Sequence, residues 1–545
     1  EQMASANMKR QKELERICQA LENIKEKKPG TFHEAMQLFW LFALLAGVIN
    51  YGRLDDYLGP YLVADLKSGR LTDEEAYRYI HSLWTMIENR RTTVNGRIIV
   101  GGKGRKHPKE ADVFLHIAMK VAKNCRYVEP QFTLRFDKDT SEEIWDEALD
   151  ALGAGATYPT LYNDDVNVPA VMYGMRVDEK AAEQYVPFGC TEFVIQGQST
   201  GTPNICINLL KLLTIYMNDG IDPIDGKRKS GPVPLKKLEE YQTFEEFYDG
   251  YKALLDYYLD LSVKAQYHSY EVMNQHVSFL FTSLLTDDCI ARGKALLDGG
   301  VRYLGGTNET YGNINTSDSL WVIRDLVFNQ KKYTLRQLND AMLANFNGYE
   351  ALRKDCLNCD KYGNDLETAD TMANDLYEFV AKGVRNRGIA IGMQYFLIVI
   401  SNNQLNTEWG NRPAASPDGR LSCMYMNPAN NPQGGANKSG PTAMLNSLAK
   451  FDAKYHGGSV QNIKFSPSMF NENRAVIKSL FKTYFAKGGC HLMVTVVDKG
   501  VLEDAVEHPE NYPDLIVRVS GFSAVFVDLS PNIQQELLSR VLYDE

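Results

Sequence analysis

Residues 515–526 read Leu515-Ile-Val-Arg518-Val-Ser520-Gly521-Phe522-Ser-Ala-Val-Phe526, with a glycine set between two short apolar runs near the C-terminus. Short apolar runs bounded by turn-forming residues are typical of strands. A glycine between two strands usually marks a tight turn or a bulge, because its backbone is the least restricted. It also lets another backbone or a sulfur atom approach closely. The stretch therefore predicts two strand-like runs with Gly521 in the turn between them.

A second loop, residues 185–193, reads Tyr-Val-Pro-Phe-Gly-Cys-Thr-Glu-Phe. A lone cysteine is most often a small buried hydrophobe. Here Gly189 permits a tight turn directly before Cys190, and the carboxyl of Glu192 follows two residues later. A carboxyl group acts as a general base only within hydrogen-bond reach of the proton it removes, about 2.6–3.2 Å. The loop is therefore a candidate for chemistry that pairs a thiol with an acid.

Both loops match motifs of one enzyme family. Residues 518–522 match the glycyl radical motif, usually Arg-Val-x-Gly-Tyr/Phe, and residues 189–192 match the Gly-Cys-x-Glu loop of the same enzymes. Further matches follow in the family's order at 52–55, 159–165, 291–294, 361–365, 416–420 and 440–443. From about residue 10 to its end, the chain resembles a glycyl radical enzyme of the pyruvate formate-lyase-like superfamily. It is most similar to the dehydratase and lyase branch.

The resemblance implies roles for three residues. Gly521 stores a radical on its Cα, Cys190 receives it as a thiyl radical, and Glu192 acts as a general base on the substrate. A glycyl radical requires a planar α-carbon, which a side chain would crowd. An S-adenosylmethionine-dependent iron–sulfur activating enzyme installs the radical. The glycyl radical is therefore the cofactor, and the chain itself needs no metal. Oxygen destroys the radical, so the resemblance implies that the enzyme works in an anaerobic cytoplasm. Its substrate is expected to be a small molecule.

The resemblance also implies the fold, an α/β barrel of ten strands in two five-stranded halves. Helices surround this barrel, and the cysteine and glycine loops meet inside it. Helical patterns alternating with short apolar strands independently indicate an α/β class. Helices are predicted, among other places, at 73–90, 204–219 and 366–386, and strands at 130–136 and 491–497.

No linker interrupts the chain, so we predict one domain over residues 1–545, with 505–545 as its C-terminal glycine radical region. The sequence opens at Glu1 in a helical pattern, and we expect that an N-terminal part of the protein is missing.

The type of radical chemistry is narrowed by the neighbours of Cys190. The pyruvate formate-lyase mechanism uses two adjacent cysteines, whereas Cys190 lies between Gly189 and Thr191. Dehydratases, which are C–O lyases, carry the Gly-Cys-x-Glu loop and are the favoured interpretation. Decarboxylases and C–S or C–N lyases can carry it too and stay open as alternatives. A catalytically inactive scaffold is the alternative of another class, but it would need neither the glycine, nor the thiol, nor the acid.

Polar residues near the cysteine loop are candidates for binding the substrate. Asn163 and Asp164 lie in an Asn-Asp-Asp loop, where a turn cap is an equally good interpretation of Asp164. Gln198 belongs to residues 196–204, which contain no acid at the place where family diol dehydratases carry one. Residues 49–53 also lack the histidine of those enzymes. The sequence therefore favours a small uncharged substrate rich in hydroxyl or amide groups.

Composition excludes several other classes of protein. The 545 residues carry a net charge of −10, without the clustered basic face that binds nucleic acid. No apolar run reaches the length of about 18 residues that a membrane span needs. Nine scattered cysteines indicate a reducing compartment. The pair Cys356 and Cys359 lacks a second pair at zinc spacing, which argues against a metal site there. A homodimer is a further expectation.

Overall fold

The computed structural model describes residues 7–48, 50–91, 96–201, 205–277, 279–400 and 404–544. The chain divides into two compact units, residues 1–161 and 162–545. The sequence predicted one domain over the whole chain, and that assignment stays a prediction. The functional loops both belong to the second unit. Strand β4 (Thr160–Asn163) crosses the boundary between the units.

The first unit packs amphipathic helices against a small parallel sheet. Its strands run in the order β1–β2–β3, all parallel. Their bounds are β1 (Gly52–Arg53), β2 (Arg97–Gly101) and β3 (Gln131–Phe136). Its helices are α1 (Met8–Glu26), α2 (Phe32–Leu45), α3 (Leu54–Lys67), α4 (Asp73–Asn89), α5 (Pro108–Asn124) and α6 (Glu142–Gly153).

A side-chain cap explains where helix α4 of the first unit begins. The side chain of Thr72 accepts a hydrogen bond from the backbone N–H of Glu75, and the carboxyl of Glu75 accepts one from the backbone N–H of Thr72. This capping box satisfies two donors that the first helical turn leaves unpaired. The helix predicted at 73–90 is confirmed and begins at Asp73.

The second unit is built around a four-stranded parallel sheet in the order β10–β9–β8–β7. A parallel pair, β11 and β12, and two antiparallel hairpins, β5–β6 and β13–β14, accompany it. The strands are β5 (Tyr185–Phe188), β6 (Glu192–Ile195), β7 (Ile205–Asn208), β8 (Gly305–Tyr311), β9 (Tyr395–Ile400), β10 (His456–Ser459), β11 (Asn462–Phe465), β12 (His491–Val496), β13 (Ile516–Arg518) and β14 (Ser523–Val525).

Helices cover the strands of this unit. They are α7 (Asp164–Met175), α8 (Glu179–Ala182), α9 (Leu209–Met217), α10 (Phe244–His276), α11 (Leu280–Leu284), α12 (Cys289–Arg292), α13 (Asn313–Val322), α14 (Leu335–Leu343), α15 (Glu350–Asn358), α16 (Glu367–Ala390), α17 (Leu405–Glu408), α18 (Gly440–Ala449), α19 (Pro467–Glu472), α20 (Arg474–Ala486), α21 (Lys499–Glu507) and α22 (Pro531–Ser539).

The core of the second unit lies around β9, whose residues Tyr395–Ile400 are all buried. Strands of a parallel sheet covered on both faces read as continuous apolar runs, as this one does. Leu397 and Tyr395 belong to the same cluster as Tyr185 and Phe193, which lie on β5 and β6. The hairpin that carries Cys190 is therefore anchored in the core. The α/β class is confirmed, and closure of a ten-stranded barrel stays a prediction.

Candidate active site

The cysteine loop is the tip of the β5–β6 hairpin. Phe188 pairs with Glu192 across the hairpin, so Gly189, Cys190 and Thr191 form the turn. Gly189 has φ of +53°, a left-handed conformation that L side chains rarely adopt. Cys190 is only 1% exposed. The turn therefore presents a buried thiol on a short, fully paired hairpin.

The carboxyl of Glu192 folds back over the same turn. The backbone N–H of Thr191 donates to Glu192 Oε2 at 2.9 Å. A Cβ at Gly189 would lie 2.7 Å from that oxygen, closer than side chains come in real structures. Gly189 is thus required for the backbone turn and for the position of the carboxyl. The loop holds an acid beside the thiol, as the spacing of the two residues suggested.

The glycine loop is also a hairpin tip. Arg518 on β13 pairs with Ser523 on β14, and Gly521 lies in the buried turn between them. A Cβ built on Gly521 would lie 2.4 Å from Cys190 Cβ and 2.8 Å from Cys190 Sγ. No side chain fits in that gap. The two loops, far apart in sequence, therefore meet in the interior of the second unit, as expected for this fold.

Two arginines hold the glycine hairpin in place. Arg518 Nε donates to the backbone carbonyl of Ser520 at 2.9 Å, within the turn itself. Arg540, at the end of α22, donates to the backbone carbonyls of Val519 at 2.5 Å and Arg518 at 3.4 Å. Glu536 pairs with Arg540 at 2.7 Å, and both side chains are largely buried. The C-terminal helix thus clamps the hairpin through its main chain.

Arg540→Ala should loosen the glycine hairpin. Removing one partner of a buried ion pair leaves an uncompensated charge, here Glu536, and typically costs about 3–5 kcal/mol. We expect the free energy of local opening at residues 516–525 to fall by up to that amount, measured by hydrogen exchange with mass spectrometry. Lys264→Ala is the control, because Lys264 forms an exposed i,i+4 pair with Asp260 and such pairs contribute about 0.3–0.5 kcal/mol. Unchanged exchange at 516–525 would contradict the clamp.

The predicted binding residues Asn163 and Asp164 contact the protein around the base of the cysteine hairpin. Asn163 caps α7, and its amide donates to the carbonyls of Phe485 at 3.1 Å and Gly489 at 3.0 Å. Asp164 Oδ1 accepts a hydrogen bond from the hydroxyl of Tyr185 at 2.7 Å. These contacts fix the start of β5. Substrate contact by either residue stays a prediction.

Gln198 is half-buried beyond the end of β6, where its Oε1 accepts a hydrogen bond from Arg302 at 3.2 Å. Its contact with substrate also stays a prediction. Residues 202–204, which belong to the acid-free stretch discussed above, lie outside the described residues.

Sequence reasoning missed a group of polar residues contributed by the parallel sheet. Cys206 on β7 is the direct neighbour of Glu309 on β8. Tyr311, two residues further along β8, donates its hydroxyl to Glu309 Oε2 at 2.6 Å. Burial, then the charge of Glu309 and that of Glu192, raises the pKa of the Cys206 thiol to about 12. The same sheet borders the cysteine loop, because a Cβ on Gly458 of β10 would overlap the backbone of Thr191.

Two other clusters contain residues of the types that bind metals or carry reactive thiols. Burial raises the pKa of Cys356 to about 12 and that of Cys359 to about 11. Redox-active and metal-binding thiols need the opposite shift. In the first unit, ligand atoms of His116, Glu143 and Glu147 lie within 4.8 Å of one another. His116 is already in contact with Glu147 at 2.8 Å, at the surface. Neither cluster belongs to the site of Cys190 and Gly521.

Two family models show to which protein family the chain belongs. Residues 1–405 match the model described as pyruvate formate lyase-like, and residues 426–527 match the glycine radical model. The chain belongs to the glycyl radical enzymes. A glycyl radical is the cofactor of this family, and radical S-adenosylmethionine enzymes install it.

Similar proteins place this glycyl radical enzyme in the dehydratase and lyase branch. Trans-4-hydroxy-L-proline dehydratase of Clostridioides difficile is 28% identical over 97% of this chain and 70% of its own length. (2S)-3-sulfopropanediol dehydratase of Klebsiella oxytoca is 28% identical over 98% of this chain and 68% of its own length. The glycerol-bound, B12-independent glycerol dehydratase of Clostridium butyricum superposes with a TM-score of 0.91 and 28% identity, covering 99% of this chain and 71% of that one. The predicted family and the predicted α/β fold class are confirmed.

Among the described residues of this enzyme, no helix has the length and hydropathy that crossing a membrane requires.

Proposed function

We propose that this chain is a glycyl radical dehydratase, which eliminates water from a small hydroxylated compound. The observation that carries the proposal is the contact between Gly521 and Cys190, where a Cβ on the glycine would overlap the cysteine. Direct transfer of a hydrogen atom between two residues requires a contact this close. The relatives that support the reaction type act, by name, on hydroxyproline and sulfopropanediol.

Gly521 would store the radical, and Cys190 would transfer it to the substrate. Cys190 Sγ gives its hydrogen atom to Gly521 Cα and then takes a hydrogen atom from the substrate carbon that carries a hydroxyl group. Glu192 removes the proton of that hydroxyl, and this proton is returned to the neighbouring hydroxyl, which leaves as water. The product radical recovers a hydrogen atom from Cys190. Burial of both loops supports this sequence, because water and oxygen would quench the intermediates.

The resting protein would need activation in the cytoplasm of an anaerobic cell. An S-adenosylmethionine-dependent iron–sulfur enzyme would remove one hydrogen atom from Gly521. A homodimer remains part of the proposal. A decarboxylase or a C–S or C–N lyase is the alternative reaction, and an inactive scaffold is the alternative of another class.

Glu192→Gln tests the role of the acid. The variant should accept the glycyl radical normally, because Glu192 lies in the other hairpin. The rate of dehydration should fall by roughly 10²–10⁴, the usual contribution of a positioned proton-transfer group. The loss should affect kcat as well as kcat/KM, because the proton moves in the transition state. The radical is measured by electron paramagnetic resonance, and turnover with a panel of small polyols and hydroxylated amino acids.

Glu179→Gln, which changes an exposed carboxyl on α8, serves as the control and should leave both readouts unchanged. If Glu192→Gln alters only KM, the acid binds substrate without acting as a base. The decarboxylase or C–S lyase alternative would then be favoured. If activated wild type turns over nothing in the panel, the dehydratase proposal loses its support.

A further inference from the structure

Strand β8 presents three polar side chains on one face. Successive residues of a strand point to opposite sides, so Thr307, Glu309 and Tyr311 share a face. Asn308 points the other way and donates to the hydroxyl of Ser262 on α10 at 2.7 Å. The face that carries Glu309 is therefore turned away from the covering helix. Cys206 of β7 lies next to Glu309 on this face.

The side chain of Glu309 is buried and hydrogen-bonded within the sheet. The residue is only 5% exposed. The hydroxyl of Tyr311 donates to it at 2.6 Å, a length typical of hydroxyl-to-carboxylate hydrogen bonds. The charge of Glu309 also raises the pKa of Tyr311 beyond the effect of burial. The carboxyl group of Glu309 thus lies in a place where water screens charge poorly.

The cysteine loop, which carries Cys190 and Glu192, and the side chain of Glu309 border the same buried region. Strand β8 belongs to the same parallel sheet as β10, and a Cβ on Gly458 of β10 would overlap the backbone of Thr191, next to Cys190. Glu192 and Glu309 also both contribute to the raised pKa of Cys206. Two carboxylates that converge on one buried region create a negative potential there. Opposite charges attract more strongly in a buried site than in water, so such a region favours a positively charged ligand.

We propose that Glu309 is a substrate-binding residue that holds a cationic amino group, and that the substrate is a small hydroxylated amine such as an amino alcohol. This inference rests on the proposed function, since that function places the reacting carbon beside Cys190. The proposed cationic substrate differs from the uncharged substrate that residues 196–204 favour. The acid that would bind the cation comes from β8 and not from that loop. Glu192 serves the hydroxyl group, while Glu309 binds the ammonium at the other end of the molecule.

Binding to the resting protein tests the inference without any radical. The two probes are 3-amino-1,2-propanediol, which is protonated at pH 7, and glycerol, its neutral counterpart. Isothermal titration should show that wild type binds the amine more tightly than glycerol. Glu309→Gln should weaken amine binding roughly 10- to 100-fold, the range expected for a hydrogen bond to a charged group. Binding of glycerol should change little.

Two variants complete the experiment. Tyr311→Phe removes the hydrogen bond but keeps the carboxylate, so it should retain the preference for the amine and reveal any general damage to the sheet. Glu503→Gln, an exposed carboxyl on α21, should behave as wild type. Thermal melting checks that each variant folds.

Equal loss of both probes in Glu309→Gln, or no loss of either, would overturn the inference. So would a wild type that binds the amine no better than glycerol, including one that binds neither. A preference for the amine that Glu309→Gln removes supports the inference, even if activated enzyme eliminates no water. In that case only the proposed reaction would fail.

Discussion

Cys190→Ser should accept the glycyl radical and catalyse no turnover. The hydroxyl of serine is close to the thiol in size and fits the same buried turn, so the contact with the glycine loop should survive. Its O–H bond is too strong for a glycyl radical to open, so the radical cannot move on to the substrate. Electron paramagnetic resonance after anaerobic activation should show the wild-type doublet, while product formation falls below detection.

Cys206→Ser is the matched control for Cys190→Ser. Cys206 is a second thiol in the same region, but it lies on β7 beside Glu309 and not against Gly521. We expect it to keep the doublet and to lose far less activity. Turnover by Cys190→Ser, or equal inactivation by both variants, would argue that Cys190 does not abstract the hydrogen atom. Formation of acetyl-coenzyme A from pyruvate would overturn the dehydratase interpretation as a whole.

Gly521→Ala should abolish both the radical and the activity. The added methyl carbon would lie 2.4 Å from Cys190 Cβ and 2.5 Å from Cys190 Cα, so one of the loops would have to move. Overpacking of this kind in a close-packed interior usually costs about 1–3 kcal/mol. A side chain at this position would also oppose the planar geometry of a Cα radical. The activated variant should therefore give no doublet and no product.

Oxygen provides a second readout for Gly521. Air should cleave activated wild type beside Gly521, shortening the chain at its C-terminus, whereas Gly521→Ala should stay intact. Gly30→Ala is the control, because Gly30 is exposed and a Cβ there meets only an ordinary contact at 3.5 Å. A doublet that persists in Gly521→Ala would place the radical on another residue.

Local sequence patterns predicted the helices well and the parallel strands less well. The helix predicted at 73–90 is Asp73–Asn89, because its cap and its amphipathic pattern are both local. The helix predicted at 204–219 is instead β7, Ile205–Asn208, followed by α9, Leu209–Met217. A short apolar run does not distinguish a buried strand from a helix. Pairing with β8 makes the first four residues a strand, and that partner is about 100 positions away.

Strand β8 itself carries no recognisable strand pattern. Gly305–Tyr311 reads Gly-Gly-Thr-Asn-Glu-Thr-Tyr, without the apolar alternation that predicts a strand. Its polar residues are buried because the face with Glu309 belongs to the region around Cys190, while Asn308 is satisfied by Ser262. A strand whose side chains serve a polar interior does not show the pattern of a strand that packs in a core.

The sequence by itself determined the chemistry that the chain is built for. A glycine in the Arg-Val-x-Gly motif and a thiol two residues before an acid are local features, and each is recognisable without its partner. Tertiary structure decided which other groups come together: Arg540 clamps the glycine hairpin, and Glu309, Tyr311 and Cys206 meet across β7 and β8. These neighbours come together only when β7 pairs with β8 and the C-terminal helix packs against the hairpin. The physical reason is that a motif is set by the local chain, whereas charge and shape in a buried site depend on contacts between distant segments.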